Sequence, residues 1–431
     1  MSMSGTGYGV QYAGEYTLKK LDLISSLNRR IDLTALTTEI NIFENIFLNT
    51  VSASLMVVDT ADLINNIGIQ GQEFVEMEIE TPSLEDFSHT LTFSVYKVGA
   101  REDANAGAAL YELSLVSPEF LLNNRRRISK SYEGNISDIV EDALVNPLHI
   151  QTEKNLYIEP TKGIRKIVSP NVHPYTLIKH LATEAQSLRS SSPHYLFFEN
   201  LVGFNFVSLQ ELYNQPSLGE YKVIHAGQLK ENNTVNVEEQ LKTVIDYNIT
   251  GNNDTLNNIK SGMLGSTIIT HDIYNKSYSK NTYRYFDDFD KHDRIDTSPI
   301  YNDVKSIGKF TDARLYVNPT STTTDFQDAQ HYGTSATSNQ LSETLLHRQA
   351  RLAELGSAIK VQMTVNGNTT LVAGQKIIFN KPSNSEIDVK VDPFYQGEFL
   401  VTQTRHRFNQ PLRKHEIIFS AAKDAIPESK E

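Results

Sequence analysis

Three glutamates at every second position, Glu76, Glu78 and Glu80, put their carboxylates on one face of a strand, where they could hold a cation or pass a proton. The intervening Val75, Met77 and Ile79 supply the apolar face, so a solvated outer face or the wall of a lumen is the plainer reading. Asp287, Asp288, Asp290 and Asp293 carry half the acids of a calcium loop, but the glycine at its sixth position and the closing glutamate are missing, which excludes an EF-hand. His173 and His180 stand seven apart without a third ligand and read as a helix-start residue and a partly buried polar side chain. Gly5, Gly7 and Gly9 precede no phosphate-binding helix, and no Gly-x-Ser-x-Gly elbow occurs. With no cysteine, disulfides, thiol catalysis and thiolate zinc sites are excluded. No catalytic, metal or cofactor site is expected, and no enzyme.

Charge points to surfaces instead. Arg125, Arg126 and Arg127 with Lys130 form one basic cluster; Arg405, His406, Arg407, Arg413, Lys414 and His415 form a second, on the two arms of the last hairpin. Each is a solvated surface or an interface for an acidic partner or a neighbouring subunit. Forty basic against 52 acidic residues give a formal charge of −12, which argues against holding duplex DNA, although not against letting it pass. The N-terminus has neither the basic start nor the apolar run of a signal peptide, and no apolar stretch approaches the ~20 residues of a membrane helix. A soluble protein made in a cytosol, without membrane insertion, is expected.

The elements that must carry these residues repeat. From Thr50 to Ser117 the signals run strand, loop, Gly71-Gln72, strand, Pro82, strand, turn, strand; from Ser357 to Ala422 the same order recurs around Gly374-Gln375 and Pro382. Between the copies lies a mixed region. Ser137 is expected to cap a helix reaching Val145, Pro174 to start another ending near Ser190, and Tyr195 to Val207 to form a hairpin. A short helix is expected from Ala61 to Ile67, capped by Thr60 and stopped by Gly68; a longer one spans Leu341 to Leu355, capped by Ser342. Thr320 to Ser338 reads as a polar surface loop, and the glycine-rich start as a mobile arm.

At this level the chain resembles the baseplate hub proteins of contractile-tailed bacteriophages, relatives of the hub part of type VI secretion spike proteins. The likeness is an ordered series: the hairpin ending Tyr111 to Glu119, the helix at Ser137-Asp138-Ile139-Val140, His173 to Ile178, Tyr195 to Phe198, Val244 to Ile249, Asn258 to Gly262, and the hairpin from Gly397 to Ser420. It covers about Thr17 to Ala422 and rests on no single diagnostic motif; the region from Asp287 to Ser338 is less family-like. The resemblance implies a mainly β chain with an α+β part: two tail-tube-like antiparallel β-barrels, an α+β domain and an insertion or connector. The expected division is a flexible arm at 1–13, the first barrel at 14–117, the α+β domain at 118–218, the second barrel at 219–260 and 357–422 around an insertion at 261–356, and a tail at 423–431. It further implies a homotrimeric hub in the virion tail baseplate, assembled in the host cytoplasm. Its partners would be a central spike below, tail tube or tube-initiator proteins above and baseplate wedge proteins, with DNA only in transit. Two rivals remain at this point. One is a receptor- or carbohydrate-binding tail protein, with Tyr274, Tyr278, Tyr283 and Tyr285 lining a groove; the other is a cell-wall hydrolase with two opposed carboxylates.

Overall fold

Alternation of apolar and polar residues builds the first third of the chain into a sheet. Its strands are β1 (Thr17–Ile24), β2 (Arg30–Asp32), β3 (Thr37–Asn45), β4 (Ser52–Asp59), β5 (Phe74–Glu80), β6 (His89–Val98), β7 (Glu102–Asn105) and β8 (Ala108–Val116). Ala53, Leu55, Val57, Val75, Met77 and Ile79 all point into one core while their neighbours face outward. The strands lie in the order β1-β5-β6-β8-β4-β3, antiparallel throughout. Between β4 and β5, α1 (Leu63–Ile67) ends at Gly68 with φ of 73°, as the sequence predicts. Its start differs from expectation, because the Asp59 carboxylate accepts from the amides of Ala61 and Leu63 at 3.0 and 2.7 Å. Two oxygens take two donors where the Thr60 hydroxyl would take one. The computed structural model describes residues 13–25, 28–82, 89–105, 107–223, 237–251, 254–272, 276–301, 314–320, 345–357, 359–381, 392 and 394–427. Residues 1–12 of the expected arm, Tyr274, residues 321–338 of the polar loop and residues 341–344 of the expected long helix lie outside these.

A mixed unit follows, comprising α2 (Pro118–Arg125), β9 (Ser131–Asn135), α3 (Ile136–Val145), β10 (Asn155–Ile158), β11 (Ile164–Val168), α4 (Pro174–Glu184), β12 (Tyr195–Asn200), β13 (Gly203–Ser208) and α5 (Leu209–Asn214). Ile139, Val140, Leu177, Ile178, Leu181 and Phe197 meet in its core. Pro174 opens α4 as expected, but Asn135 occupies the N-cap position of α3 where Ser137 was expected. Ser137 lies inside that helix, its amide bonded to Thr161 Oγ1 at 2.9 Å. The hairpin β12–β13 turns at Gly203, whose φ is 151° and where a Cβ would stand 2.1 Å from the Asn155 carbonyl oxygen of the parallel strand β10.

The last unit contains β14 (Ser217–Val223), α6 (Val237–Leu241), β15 (Thr243–Gly251), α7 (Thr255–Ser261), β16 (Gly265–Asp272), β17 (Ser277–Arg284), α8 (Tyr285–Asp288), β18 (Arg314–Thr320), α9 (His347–Ser357), β19 (Ile359–Asn366), β20 (Lys376–Asn380), β21 (Glu398–Asn409) and β22 (Lys414–Lys423). Six of these strands close into a barrel, β14-β20-β21-β22-β19-β15 and back to β14. Strands β16, β17 and β18 form a separate sheet in the insertion.

The order β14-β20-β21-β22-β19-β15 repeats β1-β5-β6-β8-β4-β3 strand for strand. Registers agree as well. Ile40 and Ile42 oppose Leu55 and Ala53 as Tyr247 and Ile249 oppose Met363 and Val361, and a bulge precedes each pair, at Thr37/Glu39 and Val244/Asp246. Phe93 opposes Val75 as Phe399 opposes Ile377, and a second bulge follows each, at Val95/Lys97 and Val401/Gln403. This register shifts the Gly-Gln match by one residue. Glu73, not Gln72, corresponds to Gln375; Glu73 O accepts from Val95 N and Gln375 O from Val401 N, at 2.9 and 2.8 Å. Both side chains also take amides of the preceding loop, Glu73 those of Gln70, Gly71 and Gln72, and Gln375 that of Val372. Among the described residues the copies differ in two pairings: β14 runs parallel to β20 where β1 runs antiparallel to β5, and β14 closes the barrel against β15 where β1 pairs with β2 and not with β3.

Gly203→Ala should lower the unfolding free energy by roughly 2 kcal/mol or more, since it adds both a strained φ and a collision with backbone. Denaturant melts of the two proteins measure this, and an unchanged midpoint would contradict it.

Candidate functional site: the join between the units

Strand β20 meets β21 only at Glu398, Phe399 and Leu400. Beyond it, from Gln403 to Asn409, the exposed edge of β21 takes β3 of the first unit, antiparallel, with Glu39 opposite Asn409 and Asn45 opposite Gln403. Alternation sorts the seam into two faces. On the outer face Arg407 donates to Glu39 at 3.1 and 3.2 Å, Arg405 donates to Asn41 at 2.9 Å, and the Arg405 guanidinium lies 5.7 Å from the Phe43 ring centre. Two residues of the second basic cluster are therefore interface residues within one chain. On the inner face Phe408 stacks on His415 at 4.0 Å and meets Tyr16 edge-on at 5.0 Å. Burial pushes His406 down to about 3 and His415 well below the usual imidazole range, so these two contribute no positive charge, contrary to the sequence reading. The ring of His415 fills the space beside Gly367, where a Cβ would stand 2.1 Å from it.

Glu44 sits on that inner face and is fully enclosed. It accepts from Thr404 Oγ1 at 2.5 Å and Ala373 N at 2.7 Å in the barrel, and from Leu201 N at 2.6 Å in the mixed unit. Burial pushes its carboxyl up to about 7 against these three bonds. A second node joins the first and mixed units. Glu199 accepts from Val51 N at 3.0 Å, Ser117 Oγ at 2.9 Å and Lys154 Nζ at 2.6 Å; Lys154 also reaches Glu119 at 2.8 Å, which takes Thr152 Oγ1 at 2.9 Å. Burial opposes the Lys154 charge, but Glu199 and Glu119 outweigh it and hold the ammonium above its ordinary range. These carboxylates are thus bound by donors and a counter-charge, as in a clamp. A third node ties α9 to the barrel end, where Arg351 pairs with Glu354 and, at 2.9 Å, with Asp424.

The other expected residues are placed as follows. Arg126 donates to the carbonyls of Pro147 and His149, Arg127 to that of Asn171 at 3.0 Å, and Lys130 to Asp142 at 3.2 Å, while Arg125 is exposed. Arg413 occupies the turn before β22 with φ of 48°, and Lys414 pairs with Glu416 at 2.6 Å. The glutamate face is matched by bases on β1 and β2: Lys20 and Arg30 pair with Glu76, and Lys19 with Glu78 and Glu80. His173 precedes α4 and His180 is exposed. Tyr283 and Tyr285 are buried and Tyr278 is exposed, so these do not line a common groove. Glu44, Glu199 and Lys154 were missed. Glu44 interrupts Ile40, Ile42 and Ile46, an acid at a position whose parity demands burial, and that signal was present in the sequence.

Two outcomes follow from the nodes. Lys154→Met leaves two enclosed carboxylates without their cation and should cost about 3–5 kcal/mol, read by denaturant melts; a loss near zero would contradict the clamp. For Glu44 the folded form holds its proton to about 7 against an ordinary 4.5, so its contribution to stability is full below pH 4.5 and is lost as pH rises through 7. The difference in unfolding free energy between wild type and Glu44→Gln should therefore fall by up to ~3 kcal/mol across that window. A difference flat with pH would contradict the assignment.

No protein-family model matches the sequence, and no curated protein does. Solved structures do match. The tail protein from Neisseria meningitidis MC58 superposes with a TM-score of 0.53 at 10% identity, over 95% of this chain and 97% of its own. The 43 kDa tail protein of prophage MuSo2 from Shewanella oneidensis gives 0.53 at 10% identity, over 94% and 99%. Nearly the whole of each chain is spanned. The chain has the fold of these tail proteins, in agreement with the baseplate hub family that its sequence resembles.

Proposed function

We propose that this chain is a structural baseplate hub of a contractile phage tail, three copies forming a pseudo-sixfold ring that joins the tail tube to the central spike and leaves a channel for DNA. One observation carries the reading. Two units of one chain share strand order, register and both bulges, and they are already joined edge to edge, so three chains supply six similar units. The division into arm, two tube-like units, α+β domain, insertion and tail belongs to this proposal. So do the spike, tube and wedge partners and the absence of an enzymatic role.

Charge supports passage without retention. The glutamates of β5 and the bases of β1 and β2 neutralise one another, so this face offers no uniform cationic track to phosphates. Arg125, Arg126, Arg127, Lys130, Arg413 and Lys414 remain candidates for contacts with neighbouring proteins.

Native mass spectrometry and negative-stain microscopy of the full chain test the reading. A trimer with a central hole and no tight binding of duplex DNA at ~0.15 M salt is the expected result, because screening there already acts within ~8 Å. A monodisperse monomer at micromolar concentration, or a ring that retains duplex DNA, would overturn it.

A further inference from the structure

The join of β3 to β21 makes one unbroken sheet of β8, β4, β3, β21, β22, β19 and β15, with both units in it. At ~4.8 Å between neighbours, these strands span roughly 30 Å. Opposed registers carry rows of side chains straight across the join. One row runs Ser114, Ser54, Asn41, Arg407, Glu416; another runs Asn45, Gln403, Ser420, Gln362, Asn248. Their neighbours along the strands, such as Leu55, Ile40 and Phe408 in the first unit and Phe419 and Val361 in the second, point into the two cores. The rows therefore stand on the outer face of the joined sheet.

The middle of this face is bare. Its two depressions, of about 340 and 450 Å³, are lined by residues of these strands and of the turns between them. Helices α5 and α9 reach the strand ends, where Leu400 and Ala422 meet Leu212 and Leu355, and α6 touches the margin at Asn366. The other wall of the first unit differs. Thr92 and Thr90 of β6 lie opposite Glu76 and Glu78 of β5, on the same face, and with Lys154, Asn155 and Val202 they line a cleft of about 640 Å³. The mixed unit thus stands on the glutamate side. Val75 and Met77 of that wall meet Leu55 and Val57 of the joined wall in one core, so the two outer faces look in opposite directions.

A closed ring of such sheets turns one face to its axis, where space is least, and the other to its rim, where an appended unit fits. Charge agrees with this placement. The acids of the joined face, Glu39, Glu112, Asp246 and Glu416, are equal in number to its bases, Lys360, Arg405, Arg407 and Lys414. Arg407 pairs with Glu39 at 3.1 Å and Lys414 with Glu416 at 2.6 Å. We infer that the joined face is the wall of the channel and that the glutamate face of β5 lies at the rim. Small polar groups and paired charges then give duplex DNA in transit no net attraction to the wall. This inference rests on the trimeric ring proposed above and assigns the residues that line it.

The chain has no cysteine, so single variants of the full chain can carry a maleimide-gold label at one chosen place. In negative-stain images of the ring, label on Ser54→Cys or Gln362→Cys should stand at the central hole, and label on Glu78→Cys at the outer edge. A second experiment reads charge. Ser54→Lys combined with Gln362→Lys should raise retention of linear duplex DNA at least about tenfold, an effect lost as salt rises, and should leave retention of closed circular duplex unchanged, because only a free end can thread a closed ring. Gold from Ser54→Cys and Gln362→Cys at the rim of an intact ring, or lysine variants that treat linear and circular DNA alike, overturns this inference and leaves the hub standing. A wild-type chain that forms no ring overturns both.

Discussion

A strand edge that cannot be left open governs this molecule. β21 has 12 residues and β20 only 5, so the barrel presents a row of amides and carbonyls that its own strands cannot reach. Filling that row with β3 decides where the first unit sits, because the register of seven opposed pairs allows no sliding without moving Ile40, Ile42 and Phe408 out of the core. Once β3 is placed, Glu44 is carried to the point where all three units meet.

The enclosed polar nodes then act on position more than on stability. A buried, hydrogen-bonded carboxylate gains little over an apolar group of the same shape, but it penalises heavily any arrangement in which its donors move away. Glu44 draws its donors from the mixed unit and two places in the barrel; Glu199 draws its from the first unit and from Lys154. A displacement that apolar packing could absorb would strip these oxygens of partners. Joints of this kind resist rotation between units.

The regular strands were legible in the sequence because period-two patterning is local: Val75 to Ile79 and Val361 to Val365 announce themselves. The repeat was legible as an order of signals, although its alignment was one residue out, because Gly-Gln is a loop motif and loops are free to drift while registers are not. The join itself was not legible. Arg405 and Arg407 read as a surface cluster since nothing local shows that Glu39, more than 360 residues away, lies across from them. The histidines failed for the same reason: His406 and His415 sit among arginines in the sequence, and nothing local shows the burial under Phe408 and Tyr16 that holds them neutral well below the ordinary imidazole range. The start of α1 was missed because the capping side chain, Asp59, lies one position further back than Thr60.

Divergence within this chain and between it and its structural neighbours has a common physical reading. At 10% identity the fold persists over nearly the whole length, and the two internal units persist through the same means: alternation, pairing order and two bulges. Bulges matter more than composition here. Each inserts one residue and so reverses which side chains face the core, and a strand that lost its bulge would bury the wrong half of its residues from that point on. Thr37 and Val244, or Tyr96 and Thr402, need share no chemistry, but the insertion beside them must stay. Charge pairs are similarly held by place. Glu39 and Arg407 meet because a bulge sets the phase of each strand before they are reached.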